Sequence, residues 1–348
     1  MATATHTLKY WEAISEATVQ CMEADPSIFV AGIGVDDFKG IFGTTRAAFE
    51  RFGSSRVFDI PNCENAFAGI TIGAAAVGKR PLVVHPRNDF MFLAMDQLIN
   101  LAAKWRYMYG DHGGVPVVTR AIVGRGWGQG ATHSQSLHAT FGHFPGLVVV
   151  TPASAADAKG LLISALTGSG PVIILENRAL YELEEEVPEH PTPIPFGSGR
   201  VVVEGTDITI VAASLMVHEA TRAAAILSEH DIHAEVVDPR TIRPLDEEII
   251  LSSIEKTHHL VVADTSWSRY GLAAEVAAVA AEKGWASLKA PVRRVTPPDC
   301  PAPVSKPLED AFHPNPVSIA RACLDVLRSD GALDGTVTDV QSRFLGPY

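Results

Sequence analysis

Cysteine is scarce in this chain. Four residues, Cys21, Cys63, Cys300 and Cys323, are scattered over 348 positions and form no CxxC pair. That spacing argues against a zinc site and for a reducing compartment. Positive charge is short as well. The net charge is -12, spread along the chain apart from the run Glu184-Glu185-Glu186. Without a basic stripe, nucleic acid is not an expected partner. Long hydrophobic runs are missing, so no segment is expected to span a bilayer. Residues 1–10 are polar and carry no signal-peptide core, and no tract is of low complexity. These absences together predict a cytoplasmic protein.

What the chain does have is apolar content. Hydrophobic residues make up 47% of it, which at this length suits two domains with substantial cores. Strands are expected at 27–32, 56–60, 80–85, 115–120, 146–151 and 171–176, and helices at 8–24, 45–52, 90–108 and 155–166. A proline-rich stretch, 188–195, reads as a linker. Behind it the alternation restarts, with strands at 207–213, 234–238, 259–263 and 292–295 and helices at 217–229, 244–255, 270–283 and 315–328. Apolar strands alternating with helices predict an α/β protein of two domains, each a mostly parallel sheet flanked by helices. The expected division is 1–187 and 207–330, with a linker over 188–206 and a polar tail over 331–348.

The chain is organised around Phe58-Asp59-Ile60-Pro61-Asn62-Cys63-Glu64-Asn65-Ala66-Phe67-Ala68-Gly69 and its continuation to Gly78. The turn signal Pro61-Asn62 leads into small and apolar residues, with Asn62 or Cys63 near the helix N-cap. Ala66, Phe67, Ile70 and Ala74 recur at helical spacing. Gly69 and Gly73 weaken the helix, which suggests close approach by another helix or a ligand. Taken by itself, Glu64 has two readings: an acidic first turn favoured by the helix dipole, or a functional acid.

This stretch resembles the cofactor helix of the thiamine-diphosphate enzymes. The resemblance is strongest to the beta subunits of pyruvate-type 2-oxo acid dehydrogenases, in the transketolase-like family, and it runs from about Leu8 to Leu327. It implies that Glu64 bonds a ring nitrogen of the cofactor's aminopyrimidine, with Asn62 beside it. A carboxylic acid in an apolar pocket keeps its proton until the ring takes it up, while the carbon chemistry belongs to the cofactor. Phe90-Met91-Phe92-Leu93-Ala94-Met95-Asp96-Gln97 matches a segment whose leading phenylalanine stacks on the pyrimidine, which assigns that contact to Phe90. Its other reading is a core aromatic. Gly130-Ala131-Thr132-His133-Ser134-Gln135-Ser136 resembles the family's active-site histidine loop. The match implies that His133 binds or protonates substrate, as its ordinary pKa suits it to do. Among 13 histidines, a lone one in a glycine loop also has an incidental reading. Relatives that hold potassium use backbone carbonyls at positions matching Val117, Ala165, Leu166, Gly168 and Gly170. Asp238 to Asp246, Pro297 to Pro303 and Leu308-Glu309 resemble the transketolase C-terminal domain, where Arg240 and Arg243 are expected to be structural.

The resemblance also says what must come from elsewhere. The ligands for magnesium and for the cofactor's diphosphate are not recognisable here. Gly110-Asp111-His112-Gly113 is read as a turn. An alpha subunit is therefore expected to supply them in an alpha2beta2 heterotetramer, with a lipoyl acyltransferase core as a further partner. Two departures stand out. Gly32 is followed by Ile33-Gly34 where relatives carry acids, so the family's proton path is altered or displaced to Asp36 and Asp37. The segment His85-Pro86-Arg87-Asn88-Asp89 is polar where relatives are apolar. Arg87 there is either a clamp for a carboxylate or phosphate or a surface ion-pair partner. His85, Arg87 and His133 are the substrate-binding candidates. The expected activity is 2-oxo acid decarboxylation with acyl transfer to lipoamide. The alternative is a split transketolase-like carboligase that passes a two-carbon unit to an aldehyde or sugar phosphate.

Overall fold

The computed structural model describes residues 4–37, 39–110, 114–124 and 128–329. The turn expected at Asp111-His112-Gly113, the centre of the glycine-rich loop at 125–127 and the tail 331–348 lie outside the described residues. The strands in chain order are β1 (Thr5–Lys9), β2 (Ile28–Gly32), β3 (Val57–Asp59), β4 (Arg80–His85), β5 (Val118–Val123), β6 (Val148–Val150), β7 (Val172–Asn177), β8 (Glu184–Pro188), β9 (Arg200–Val203), β10 (Ile208–Ala212), β11 (Ala234–Asp238), β12 (Thr241–Arg243), β13 (Leu260–Ala263) and β14 (Arg293–Val295). The helices are α1 (Tyr10–Ala24), α2 (Arg46–Phe52), α3 (Glu64–Ala76), α4 (Trp105–Tyr109), α5 (His138–Gly142), α6 (Ala155–Thr167), α7 (Leu215–Ser228), α8 (Glu247–Thr257), α9 (Leu272–Lys283), α10 (Lys306–Phe312) and α11 (Pro316–Ser329).

The chain divides into two units. The first comprises Met1–Ser198, Arg240–Leu245 and Pro301–Lys306, and the second the remainder. The first is built on a seven-stranded sheet in the order β12-β6-β7-β5-β4-β2-β3. Every pair is parallel except the edge pair β12–β6. Strands β5 and β7 are buried along their whole length, as parallel strands covered on both faces must be. Helix α6 is capped at Ser154, whose Oγ accepts from the Asp157 amide at 3.0 Å and donates to Asp157 Oδ2 at 2.6 Å. Arg240 closes on the same carboxylate at 2.8 Å, a structural role.

The second unit carries a five-stranded sheet in the order β14-β13-β10-β11-β9, parallel except for the edge strand β9. Part of the stretch 188–206, read as linker, is thus the ordered strand β9. No helix among the described residues is long and apolar enough to cross a membrane.

Of the two N-cap readings for the organising helix the structure takes Cys63, and the expected helix over 90–108 is corrected. The N-cap of α3 is Cys63, with no side-chain cap bond, and Asn62 lies exposed outside it. The face that α3 buries within its own chain is Phe67, Ala68, Thr71, Ile72 and Ala75, while Ile70 is 68% exposed. A helix apolar all round leaves one face for something else to cover. The helix expected over 90–108 is instead a 3-10 turn at Asn88–Ala94, a π-helical stretch at Asp96–Ala102 and then α4. The cause lies in the side chains at its start. Asn88 Nδ2 donates to the Gln135 carbonyl at 3.0 Å, Asn88 Oδ1 accepts from the Leu137 amide at 3.2 Å, and Asp89 Oδ1 accepts from Gln135. These bonds fix the first turn to a neighbouring loop. The wider π turn then puts Leu98, Ile99 and Ala102 back into the core.

Candidate active site

Because β3, β2, β4, β5 and β7 are neighbours and parallel, their carboxyl ends open on one edge of the first unit's sheet, where ligands of open α/β sheets bind. The segments leaving that edge carry the predicted residues. Helix α3 begins at Glu64, directly after β3. The turn bearing Phe90 follows β4. The loop bearing His133 follows β5. Helix α3 packs along the Asn88–Ala94 and Asp96–Ala102 turns, and Gly69 permits it: a Cβ there would lie 3.3 Å from Gln97 Oε1. A Cβ on Gly73 would meet nothing within 4 Å.

Phe90 and His133 come together. Their ring centroids are 5.2 Å apart and the planes cross at 80°. Phe90 is 40% exposed, so its ring is presented rather than packed away. Thr132 Oγ1 lies 3.0 Å from His133 Nδ1, a contact that orients the imidazole. The loop sits tightly on Gly124. A Cβ there would fall 2.1 Å from the His133 carbonyl oxygen, 2.4 Å from Gln129 Oε1 and 3.1 Å from Arg87 Nε. One α-carbon without a side chain therefore lets the histidine loop, Gln129 and Arg87 converge.

Glu64 is half-buried in this chain alone. The apolar enclosure that its expected role needs is not completed by this chain's described residues. Ile70, Val77, Phe92, Leu93, Tyr107, Met108 and Tyr109 are all exposed. His85 is 3% exposed, and burial lowers its pKa to about 4. It is a neutral floor residue at the end of β4, with almost no access to a ligand. Asp36 Oδ2 accepts from the Asp59 amide at 3.2 Å, and Asp37 Oδ1 accepts from the Lys39 and Gly40 amides at 2.7 and 2.8 Å. Both acids thus hold loops in shape.

Four residues beside the site were not singled out from sequence: Phe42, Asp89, Gln129 and Arg178. Asp89 is buried, and burial raises its pKa above the usual carboxylate range while two bonds from Gln135 pull it down. Gln129 Oε1 accepts from Arg87 Nε at 3.0 Å. Phe42 lies under two guanidinium groups, Arg178 at 4.6 Å and Arg87 at 5.8 Å from its ring centroid. The signal available in sequence for Arg178 was its place, immediately after the apolar strand that ends at Asn177.

The carbonyl positions expected for potassium do not fit a hard cation. The Leu166 carbonyl accepts from Arg80 Nε at 2.8 Å, and the Gly168 carbonyl accepts from Arg80 Nη2. The Val117 carbonyl accepts from the Val172 amide at 3.0 Å. Ala165 and Gly170 flank them. A fixed guanidinium already directs its N–H groups and its positive charge into that cradle. Among the described residues no three His, Cys, Asp or Glu side chains converge as a metal site.

Comparison with known proteins agrees with this geometry. Residues 6–184 match the transketolase pyrimidine-binding domain, and residues 197–319 match the transketolase C-terminal domain. The chain is 43% identical over 326 residues to the beta subunit of acetoin:2,6-dichlorophenolindophenol oxidoreductase of Cupriavidus necator, covering 91% of this chain and 96% of that one. It is 39% identical over 311 residues to the pyruvate dehydrogenase E1 component beta subunit of Rickettsia felis, covering 89% and 95%. Among solved structures it superposes on a split-gene transketolase in an inactive beta4 tetramer with a TM-score of 0.76, at 25% identity, covering 93% of this chain and 99% of that one.

Proposed function

Since the chain belongs to the transketolase-like beta subunits of the thiamine-diphosphate-dependent 2-oxo acid dehydrogenase family, we infer that it forms the pyrimidine half of an active site that decarboxylates a 2-oxo acid and passes on the acyl group. The observation that carries this reading is the meeting of Phe90 and His133 at the carboxyl edge of the sheet, beside the helix that starts with Glu64. The residues fit a bound aminopyrimidine. Phe90 offers an exposed ring face, and Glu64 offers a carboxyl group at a helix N-terminus. Thiamine diphosphate, when bound, supplies the carbon nucleophile and electron sink.

The chain's own residues do the following. Glu64 would hold the aminopyrimidine by a bond from its carboxyl group to the ring nitrogen. Phe90 fixes the ring by stacking. His133 binds the substrate or delivers a proton to it, and its edge contact with Phe90 links the two positions. An alpha subunit covers the apolar face of α3 and α4, shields Glu64 from water, and brings magnesium with its diphosphate ligands. Potassium plays no step. Lipoamide on an acyltransferase core receives the acyl group. The free thiols suit a reducing cytoplasm.

A split carboligase is the second reading, favoured by the two arginines beside the site and by the likeness to a split-gene transketolase. Both readings predict that the chain purified alone is inactive. The test is co-expression with an alpha-type chain, then assay of 2-oxo acids with an artificial electron acceptor and of aldehydes as acyl acceptors. Glu64→Gln is expected to lower turnover by roughly 100- to 10,000-fold, the usual range for losing acid–base catalysis. Wild-type rates in Glu64→Gln, or no turnover of either substrate class by the complex, would overturn the proposal.

A further inference from the structure

The two guanidinium groups near Phe42 are built into the site rather than left on the surface. Arg87 leaves β4 two residues after its last position, and Arg178 follows β7 directly, so both stand at the carboxyl edge of the sheet. Phe42 sits between them on a turn in which Gly40, Ile41, Phe42 and Gly43 all have positive φ, at 46°, 42°, 57° and 95°. Left-handed backbone at Ile41 and Phe42 is uncommon for non-glycine residues, and here it aims the ring. Tyr181 backs that ring edge-on at 6.2 Å, and Arg178 also lies 4.8 Å over Tyr181. Tyr181 in turn donates to the buried Glu176 carboxylate at 2.6 Å, so the wall is rigid.

Arg87 is held at two of its three nitrogens. Nε donates to Gln129 at 3.0 Å and Nη1 to the Pro86 carbonyl at 2.6 Å. Among the described residues Nη2 donates to no partner, and the bonds Arg87 makes go to an amide oxygen and a backbone carbonyl. Burial presses the Arg87 pKa below the ordinary arginine range; the charges of Asp89 and then Tyr181 oppose it, and Arg178 adds a smaller push downward. A carboxylate or phosphate accepts charge-assisted bonds from guanidinium groups, and Arg87 Nη2 has its donors to offer. A Cβ on Gly124 would lie 2.1 Å from the His133 carbonyl and 3.1 Å from Arg87 Nε, which places Arg87 beside the histidine loop.

We propose that Arg87 and Arg178, set over Phe42, bind a second anionic group, carboxylate or phosphate, on the substrate. The inference rests on the function proposed above only for where the reaction takes place. The test uses the co-expressed complex and reads a ratio of kcat/KM. One arm compares 2-oxoglutarate with 2-oxopentanoate; the other compares glyceraldehyde 3-phosphate with glyceraldehyde as acceptor. One arm is expected to favour the anion at least about tenfold. Arg87→Met and Arg178→Met are each expected to lower that ratio by roughly 10- to 100-fold, the range for one charge-assisted bond, with Arg87→Lys and Arg178→Lys keeping part of it. A ratio near one in both arms, or a ratio that the substitutions leave unmoved, overturns the proposal. Binding of succinate and inorganic phosphate to the isolated chain, followed by calorimetry at low and high salt, gives a readout independent of turnover. If the complex turns over nothing, the proposed function fails, and loss of that binding in the two Met variants decides the anion site by itself. Equal binding by wild type and variants, or none by wild type, sinks it.

Discussion

Replacing Glu176 by leucine is expected to destabilise the first unit severely, and the size of the effect follows from what it leaves behind. Arg120 is fully buried and Glu176 is 1% exposed. The guanidinium bonds the carboxylate through both Nε and Nη2, the latter at 2.9 Å, and Tyr181 donates a third bond at 2.6 Å. Nη1 of Arg120 has no hydrogen-bond partner among the described residues, so the arginine has no second acceptor to turn to. Breaking a buried pair from one side costs about 3–5 kcal/mol, because one uncompensated charge stays inside. Against a typical total of about 5–15 kcal/mol, that is roughly a fifth or more of the stability. At about 2–4 °C per kcal/mol for a unit of this size, it corresponds to a fall in Tm of roughly 10 °C. The double variant Arg120→Met/Glu176→Leu removes both charges and strands only the Tyr181 hydroxyl, a loss of about 1–3 kcal/mol. It should therefore be more stable than the single variant. Two units make one global unfolding energy ill-defined, so the assay is hydrogen exchange resolved to the amides of β5 and β7, alongside thermal scans. A single variant within about 0.5 kcal/mol of wild type, or a double variant no better than the single, would refute the reasoning. The same wall backs Phe42 and Arg178, so the single variant should also lose anion selectivity.

His85 makes stability depend on pH. Its folded pKa of about 4 lies below the ordinary histidine value, so between about pH 6.5 and 4 the unfolded chain holds a proton that the folded chain does not. Stability is full above that window and falls as pH drops through it, by about 3 kcal/mol in all, at 1.36 kcal/mol per unit. Urea titrations of wild type and His85→Phe from pH 7.5 to 4.5 should diverge in slope, and parallel curves would show that His85 is not the cause. Gly124→Ala should lower activity of the complex by at least about tenfold, because its methyl group would collide with the His133 carbonyl oxygen at 2.1 Å, a misplacement of the kind that costs about 100-fold at reacting centres. Kinetics with unchanged thermal stability would confirm it, and wild-type kcat/KM would not. Replacing potassium by sodium in the assay should change the rate by less than about twofold, since Arg80 already occupies the Leu166 and Gly168 carbonyls and a guanidinium is not exchanged for a hydrated ion. A strong dependence on potassium would show that Arg80 moves aside.

The sequence was readable where one interaction dominates. The parallel strands are continuous apolar runs, so their places were visible within a few residues: 80–85 and 234–238 coincide with β4 and β11. It was unreadable where side chains override periodicity. The apolar spacing from Phe90 to Met108 is helical, yet Asn88 and Asp89 tie the first turn to Gln135 and Leu137, over 40 positions away, and the segment breaks into 3-10, π and α pieces. Strand β12 was missed for a similar reason. Thr241-Ile242-Arg243 is too short to announce itself, and its partner β6 is about 90 residues back in the chain. At the site, the resemblance named Glu64 and Phe90 for the cofactor and His133 for the substrate. It was silent on Phe42, Gln129 and Arg178, which the fold brings beside Arg87. Arg87 stood between the two classes. Its polar neighbourhood was odd in the sequence, but only the fold showed that a second arginine, brought up by β7 from about 90 positions further on, faces the same ring. Cofactor chemistry is thus carried on contiguous stretches that a linear reading can find. The proposed anion site is assembled from single residues that follow β2, β4 and β7, and becomes visible only when those strands are placed in one sheet.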